Sequence, residues 1–158
     1  MSSASRPAAR ERQPFASSPT ARRHGQRQAR KDTAPELALR RALHAQGLRY
    51  LVHRRPLPAL RRIADLIFAS AKVAVFVDGC FWHGCPDHGI QPQTNSWYWA
   101  PKLERNRQRD ADTTQKLEGV GWIVMRVWEH EDPVEAAKRI EQVVRARRSV
   151  RQRVQRSR

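Results

Sequence analysis

Residues 72–77 read Lys-Val-Ala-Val-Phe-Val and contain five consecutive apolar residues. Their β-branched and aromatic side chains favour a strand, and the lack of polar alternation predicts that both faces of this strand are buried. Such a strand has to be covered from above and below by other parts of the chain. The segment therefore predicts a layered α/β domain, in which helices flank a small mixed sheet.

Signals for further elements surround this strand and give the order α-β-β-β-α-β-α. Thr33 and Glu36 form a capping-box pattern at the start of the first helix, which we expect to stop at Gly47. The last helix is expected to begin at Asp132-Pro133. We predict strands at 48–53, 63–68, 72–77 and 122–128, and helices at 33–47, at about 99–118 and from 132 onward.

The net charge of +16 is concentrated at the two ends of the chain. Residues 1–31 carry eight Lys and Arg against one acid, and residues 145–158 carry seven Arg and no acid. Such segments bury too little apolar surface to order alone. We therefore predict a disordered basic arm at 1–31, a folded domain at 32–144 and a basic tail at 145–158. No amphipathic apolar face suggests an anionic membrane, so nucleic acid is favoured over membrane binding or simple solubility.

Several classes of protein are disfavoured by the sequence. No apolar run approaches the roughly 18 residues that span a bilayer, and the first residues lack the apolar block of a secretory signal. Cys80 and Cys85 lie too close in sequence to connect distant parts of a fold. We therefore expect a reducing, cytoplasmic environment, no membrane association, and a metal-binding role for at least one of the two thiols.

Asp65 interrupts an apolar strand and is a candidate for catalysis. A charge in such a position is costly unless it is paired, hydrogen-bonded or bound to a metal. Asp78 ends the next strand and is expected to lie beside Asp65. Two carboxylates on neighbouring strands suit Mg²⁺, which prefers hard oxygen ligands. The alternative is that Asp65 points to solvent.

The loop that follows Asp78 contains candidate zinc ligands. Cys85 and His88 stand in C-x₂-H spacing, and Asp110 and His130 are more distant candidates. One thiolate, imidazoles and a carboxylate can close a tetrahedral zinc site. The alternative is a loop with a free thiol and surface histidines. A zinc deaminase is excluded, because the H-x-E and P-C-x-x-C motifs of that class are absent.

Aromatic residues accompany this loop at Phe81, Trp82 and 97–99. Large aromatic side chains can insert between base pairs or stack on unpaired bases. Ordinary packing is the commoner role, and the local sequence alone favours it. In the same way, the capping box alone accounts for Glu36.

The block at 76–83, Phe-Val-Asp-Gly-Cys-Phe-Trp-His, resembles the hallmark of the very short patch repair endonucleases. In that family an aromatic-ended strand is followed by Gly-Cys-Phe-Trp-His. Further blocks of the family occur in the same order, so that the resemblance covers about residues 31–140. They are Asp32-Thr33 with Glu36, 64–66, Trp99 with Lys102 and Asn106, 109–110, 121–122 and 127–129.

This resemblance implies a restriction-endonuclease-like fold, related to the PD-(D/E)XK nucleases. It implies an enzyme that nicks double-stranded DNA 5′ to the T of a T:G mismatch, which arises when 5-methylcytosine deaminates. It also implies a monomer and a functional link to a cytosine-5 DNA methyltransferase. A restriction or nicking enzyme for matched DNA, and a non-catalytic DNA-binding protein, are the rival interpretations.

The resemblance also implies catalytic residues. Asp65 would bind Mg²⁺ together with the backbone carbonyl of Val77. His83 would act on the attacking water or the leaving group, and Glu36 would help to order the water. Asp78 stands where the family's best-known pattern has a second histidine; it would supply a further metal oxygen or alter the pH profile.

DNA and zinc ligands follow from the same resemblance. Phe81, Trp82 and Trp99 would intercalate beside the mismatch, and Lys102 and Asn106 would contact DNA. The structural zinc ligands would be Cys85, Asp110, His130 and either His88 or Asp87. In this set Cys85 replaces a family histidine and His130 replaces a family cysteine.

Overall fold

Four strands form one sheet in the order β1-β2-β3-β4. The computed structural model describes residues 31–89 and 96–156, so the predicted arm at 1–31 lies outside the described residues except for Lys31. The elements are α1 (Ala34–Ala45), β1 (Leu51–Arg54), β2 (Ala64–Phe68), a 3-10 turn (Ala69–Ala71), β3 (Val73–Asp78), α2 (Cys80–His83), α3 (Ser96–Glu118), β4 (Ile123–Trp128) and α4 (Pro133–Arg156).

The sheet is mixed, as the sequence predicts. β1 and β2 are antiparallel, β2 and β3 are antiparallel, and β3 and β4 are parallel. The central strand β3 therefore pairs on both sides, with Val75 opposite Leu66 and Met125. Its hydrogen bonds fix the positions at which β2 and β4 present their side chains.

Apolar layers cover both faces of β3. Val73 and Val75 face α1 and α4, where Leu43 and Ile140 are fully buried. Ala74 and Phe76 face the other layer, which contains Leu117 of α3 and the 57–60 loop. The prediction of a strand buried on both faces is therefore confirmed. The order of elements is also confirmed, with one addition: the short helix α2 lies in the segment predicted to be a loop.

α1 begins with the predicted capping box. The Thr33 side chain accepts from the Glu36 N–H, and the Glu36 carboxylate accepts from the Asp32 N–H at 3.0 Å. These contacts satisfy N–H groups that the first turn of a helix leaves without partners. The helix ends at Ala45, and Gly47 follows in the left-handed conformation (φ +76°) that favours glycine.

α4 continues to Arg156, so residues 145–156 of the predicted basic tail are helical. The composition argument considered a segment that must order alone. Here α4 is already held on the sheet by Ile140 and Val144, and extending a formed helix adds one hydrogen bond for each residue fixed. Arg147 also donates to the backbone carbonyls of Ala71 and Gly121.

The two longest helices, α3 and α4, have 23 and 24 residues and are rich in charged side chains. In the part of the chain that the structure describes, no helix combines the length and the apolar character that crossing a bilayer requires.

Replacement of Ile140 by Ala should lower the free energy of unfolding by about 2–4 kcal/mol, because it leaves a cavity between α4 and the sheet. Urea unfolding would show a lower midpoint with an unchanged slope. Val134→Ala is a matched control in the same helix, since Val134 is 49% exposed. Equal midpoints for the two variants would contradict this description of the core.

Candidate active site and metal centre

A cleft of about 1060 Å³ opens where β3 ends, between α1, α2 and α3. The predicted catalytic residues Glu36, Asp65, Asp78 and His83 all line it. Cationic side chains share the same walls and balance part of this negative charge. They are Arg61, Arg62, Arg109 and Arg126.

Asp65 is held at the wall of this cleft by the strand beside it. The Val77 N–H donates to Asp65 Oδ2 at 2.7 Å. Burial raises the pKa of Asp65 to about 6; the Val77 hydrogen bond opposes this effect, whereas the negative charges of Glu36 and Asp78 add to it. Burial and repulsion both destabilise the ionised form of this carboxyl, and a bound cation would stabilise that form. The alternative of a solvent-directed Asp65 is therefore wrong.

Glu36 is buried and held by several donors. Besides the Asp32 N–H, the Thr33 hydroxyl donates to Oε1 at 3.0 Å, and Arg40 Nη2 lies 3.3 Å from Oε2. The Arg40 guanidinium also contacts Asp32 at 2.5 Å and His53 Nε2 at 2.8 Å. Asp32, Glu36 and His53 could together hold a metal ion by their spacing. The guanidinium already supplies a positive charge among them.

His83 belongs to a compact group of charged side chains. Its Nδ1 lies 2.5 Å from Asp110 Oδ2 and 3.7 Å from Asp78 Oδ1. Burial alone would lower the pKa of His83, but the two carboxylates outweigh it and raise the pKa. Burial likewise works against the charged form of Asp110, yet the hydrogen bond with His83 keeps the Asp110 pKa below its usual value. Because Nδ1 is engaged, Nε2 is the ring nitrogen that remains for chemistry in the cleft.

Arg126 closes this group on the far side from His83. Its Nη1 lies 2.6 Å from Asp78 Oδ2, and its Nη2 lies 3.3 Å from Asp110 Oδ1. Both oxygens of Asp78 therefore face protein side chains. The expectation that Asp78 supplies a further metal oxygen stays a prediction; the structure shows this carboxylate beside His83 and Arg126.

A second cluster lies next to this group and contains two thiols and two imidazoles. Ligand atoms of Cys80, Cys85, His88 and His130 all lie within 4.8 Å of one another. His130 Nδ1 is 3.0 Å from Cys80 Sγ and 3.7 Å from Cys85 Sγ. The sequence predicted three of these four residues as metal ligands.

The prediction that Asp110 belongs to this cluster is wrong, because its carboxylate contacts His83. Cys80 is the member that the prediction missed. Asp87 is not part of the cluster either; its carboxylate is largely exposed and lies 3.9 Å from His130 Nε2. The cluster therefore contains His88 and not Asp87.

The short helix α2 explains how the two thiols meet. It ends at Gly84, whose left-handed conformation (φ +67°) turns the chain back, so that the Cys85 N–H donates to the Cys80 carbonyl at 3.0 Å. Burial and the adjacent Cys85 thiol raise the pKa of Cys80. Two buried thiols and two imidazoles thus lie close enough together to act as ligands of one metal ion.

Comparison with known proteins decides the family. Residues 18–88 match the family model described as DNA mismatch endonuclease Vsr. The Type II nicking enzyme V.NaeI of Lentzea aerocolonigenes is 52% identical over 112 residues, which are 70% of this chain and 68% of the relative. The Type II nicking enzyme V.XorIIP of Xanthomonas oryzae pv. oryzae is 42% identical over 119 residues, 72% of this chain and 83% of the relative. The chain belongs to the Vsr family of DNA endonucleases.

The DNA mismatch endonuclease Vsr of Escherichia coli K12 is a further relative, 33% identical over 102 residues and 64% of each chain. The family resemblance of the block at 76–83 is therefore confirmed. A mixed sheet flanked by helices fits the Vsr fold. Membership of an endonuclease family also disfavours the rival interpretation of a non-catalytic DNA-binding protein.

The aromatic residues that the Vsr resemblance singles out pack together at the rim of the cleft. Phe81 lies edge-on to Trp82 and Trp99, with ring centroids 5.0 and 5.5 Å apart, and Trp82 and Trp99 are 5.7 Å apart. Lys102 Nζ lies 5.6 Å from the centre of the Trp99 ring, and Asn106 donates to the Trp82 carbonyl at 3.1 Å. We call Phe81, Trp82 and Trp99 the aromatic cluster.

Two residues of the Vsr site were missed from the sequence. Arg126 could have been found by the argument used for Asp65. It is a charged residue in the apolar segment Ile-Val-Met-Arg-Val-Trp, and such a charge is costly without a partner. The sequence indicates the role of Cys80 less clearly, because Cys80 meets Cys85 only through the turn at Gly84.

Proposed function

We propose that this Vsr-family protein nicks one strand of double-stranded DNA 5′ to the T of a T:G mismatch and so starts very short patch repair. The observation that carries the proposal is the common cleft of Asp65 and His83, with the aromatic cluster at its rim. Under this proposal, Asp65 and His83 would take part in hydrolysis, and the adjacent aromatic cluster would test the base pairing. T:G mismatches arise from 5-methylcytosine, so the activity implies a functional link to a cytosine-5 DNA methyltransferase.

The proposed cofactor for cleavage is Mg²⁺. The candidate ligands at Asp65 are oxygens, and burial together with neighbouring negative charge raises the pKa of this carboxyl to about 6, an effect that a bound cation would oppose. These features fit Mg²⁺, which Asp65 and the Val77 backbone carbonyl would hold. When bound, the ion would polarise the scissile phosphate, lower the pKa of an associated water and stabilise the negative charge of the transition state.

The protein side chains would provide the remaining chemistry. His83, fixed through Nδ1, offers Nε2 to accept a proton from the attacking water or to donate one to the leaving oxygen. Glu36 stays in place through its capping contacts and would orient water at the cleft wall. Arg61, Arg62 and Arg109 in the cleft wall would contact phosphates and hold the duplex in register.

The aromatic cluster would supply the preference for mismatched DNA. Insertion of an aromatic side chain between base steps costs a few kcal/mol of unstacking. A T:G pair is unstacked more cheaply than a matched pair, so the same insertion favours mismatched duplex. Lys102 and Asn106, which contact or adjoin the cluster, would bind the DNA backbone near the inserted rings.

We further propose that Cys80, Cys85, His88 and His130 bind a structural Zn²⁺. Two sulfurs and two imidazole nitrogens are a closed ligand set for zinc, with bonds of about 2.3 Å and about 2.0 Å that separate the ligand atoms by roughly 3.5 Å. Sulfur–nitrogen distances of 3.0, 3.7 and 4.0 Å in the cluster lie on both sides of that separation. The ion would connect α2 to the turn after β4.

A strand-specific nicking assay tests the proposed function. With Mg²⁺, we expect a nick 5′ to the mispaired T in T:G duplexes and none in matched duplexes, at neutral pH and in several sequence contexts. Asp65→Asn should lower the nicking rate by at least about 10³-fold while DNA binding persists, because the cation loses its anchoring carboxylate. Equal cleavage of matched and mismatched duplex would instead favour a nicking enzyme for unmodified DNA.

Replacement of Trp99 by Ala should reduce the ratio of nicking rates between T:G and matched duplex about tenfold, since stacking contributes about 1–3 kcal/mol per base. Trp97→Ala is the matched control, because Trp97 is 57% exposed and does not belong to the aromatic cluster. An unchanged ratio for Trp99→Ala would exclude the aromatic cluster as the source of mismatch preference.

Zinc content distinguishes the two ligand sets. Cys80→Ser should lower the bound zinc from about one per chain to well below half, and should lower the melting temperature, because structural zinc contributes directly to folding. Asp110→Asn should keep the zinc while it impairs nicking. The opposite pattern would return Asp110 to the metal centre and remove Cys80 from it.

A further inference from the structure

Arg126 is the one charged residue of β4, which is otherwise apolar. Its position is fixed by backbone pairing and by a contact with the Phe76 ring. It pairs in register with Phe76 of β3. Its guanidinium carbon lies 5.2 Å from the centre of the Phe76 ring, which supports the planar group from below. Backbone pairing and this ring together aim the guanidinium at the end of the cleft where His83 lies.

Arg126 and His83 share the same two carboxylates through opposite oxygens. Asp78 directs Oδ1 to His83 and Oδ2 to Arg126. Asp110 directs Oδ2 to His83 and Oδ1 to Arg126. The four side chains therefore form a closed ring of alternating positive and negative groups, when His83 is protonated. We call this arrangement the His83 charge network.

The His83 charge network depends on the positive charge of the Arg126 guanidinium. The Asp78 side chain is only 5% exposed, and a buried carboxylate is costly unless a positive partner compensates it. Without Arg126, two carboxylates would compete for a single imidazole Nδ1. His83 could then turn toward either acid, and its Nε2 would lose a fixed direction.

We propose that Arg126 is a positioning residue for strand cleavage: it fixes Asp78 and Asp110, and these fix the His83 imidazole. The proposal rests on the proposed function only in assigning His83 to the reacting phosphate. Direct binding of phosphate by Arg126 is disfavoured, because both of its Nη atoms already contact carboxylates. Asp78 and Arg126 form one unit, so the acid at the position of the family's second histidine comes with its own counter-charge.

Arg126→Met should lower the single-turnover nicking rate at saturating duplex about 30-fold or more, since a well-positioned proton-transfer group contributes about 10²–10⁴-fold. The Kd for duplex should stay within about threefold, because the phosphate contacts are elsewhere. Arg126→Lys retains the charge but lacks the planar fork, so it should recover only part of the rate. Lys138→Met, a control on the exposed surface of α4 outside the basic tail, should nick at the wild-type rate.

Adding Asp78→Asn to Arg126→Met provides the decisive comparison. The second change removes the competing carboxylate and leaves His83 with Asp110 alone. The double variant should therefore nick at least about fivefold faster than Arg126→Met. ¹⁵N spectra of the imidazole, assigned with His83→Gln, should show one ring tautomer in wild type and a mixture in Arg126→Met. These comparisons are made on whichever duplex wild type nicks, so failure of T:G specificity does not affect them.

Three results would overturn the proposal. One is an unchanged nicking rate for Arg126→Met. Another is a Kd raised in step with the loss of rate, which would make Arg126 a DNA contact. The last is a double variant no faster than the single one. If Arg126→Met does not fold, a wild-type rate for Arg126→Lys would equally contradict the need for a planar fork.

Discussion

The burial of β3 between two apolar layers is the constraint on which the rest of the structure depends. With both faces covered and both edges paired, this strand cannot shift without exposing one layer or breaking two sets of hydrogen bonds. The parts of the candidate site are placed relative to it. Asp65 is fixed by the Val77 N–H, Arg126 by its register opposite Phe76, and α2 by starting directly after the strand ends.

Charge placement in the cleft follows a single physical rule, that a half-buried charge is stable only with partners. Glu36 is surrounded by Arg40 and the cap of α1, and Asp78 and Asp110 by His83 and Arg126. Asp65 differs, since burial and two neighbouring acids raise its pKa to about 6. Under the proposed function, this carboxyl is the group that would bind the catalytic cation.

Much of this arrangement can be predicted from the sequence, and the failures have physical reasons. The apolar run at β3 predicts the layers, and a charge in a strand identifies Asp65. Spacing cannot tell which distant acid meets which histidine, because the rotation of α3 about its axis decides that Asp110 reaches His83 and not His130. Composition likewise predicts a loose tail after residue 144, but it ignores the packed helix that the segment extends.

α2 places the tip of the aromatic cluster and the His83 imidazole on consecutive residues, Trp82 and His83. A helix of four residues has no room to bend between them. Two members of the Cys and His cluster flank it, Cys80 at its first residue and Cys85 just beyond its end. Under the proposed function, a duplex in which Trp82 does not insert between the base pairs also keeps His83 away from the scissile phosphate. Discrimination would then be expressed in how fast bound DNA is cut, more than in how tightly it is held. Matched DNA could be searched along its length without damage.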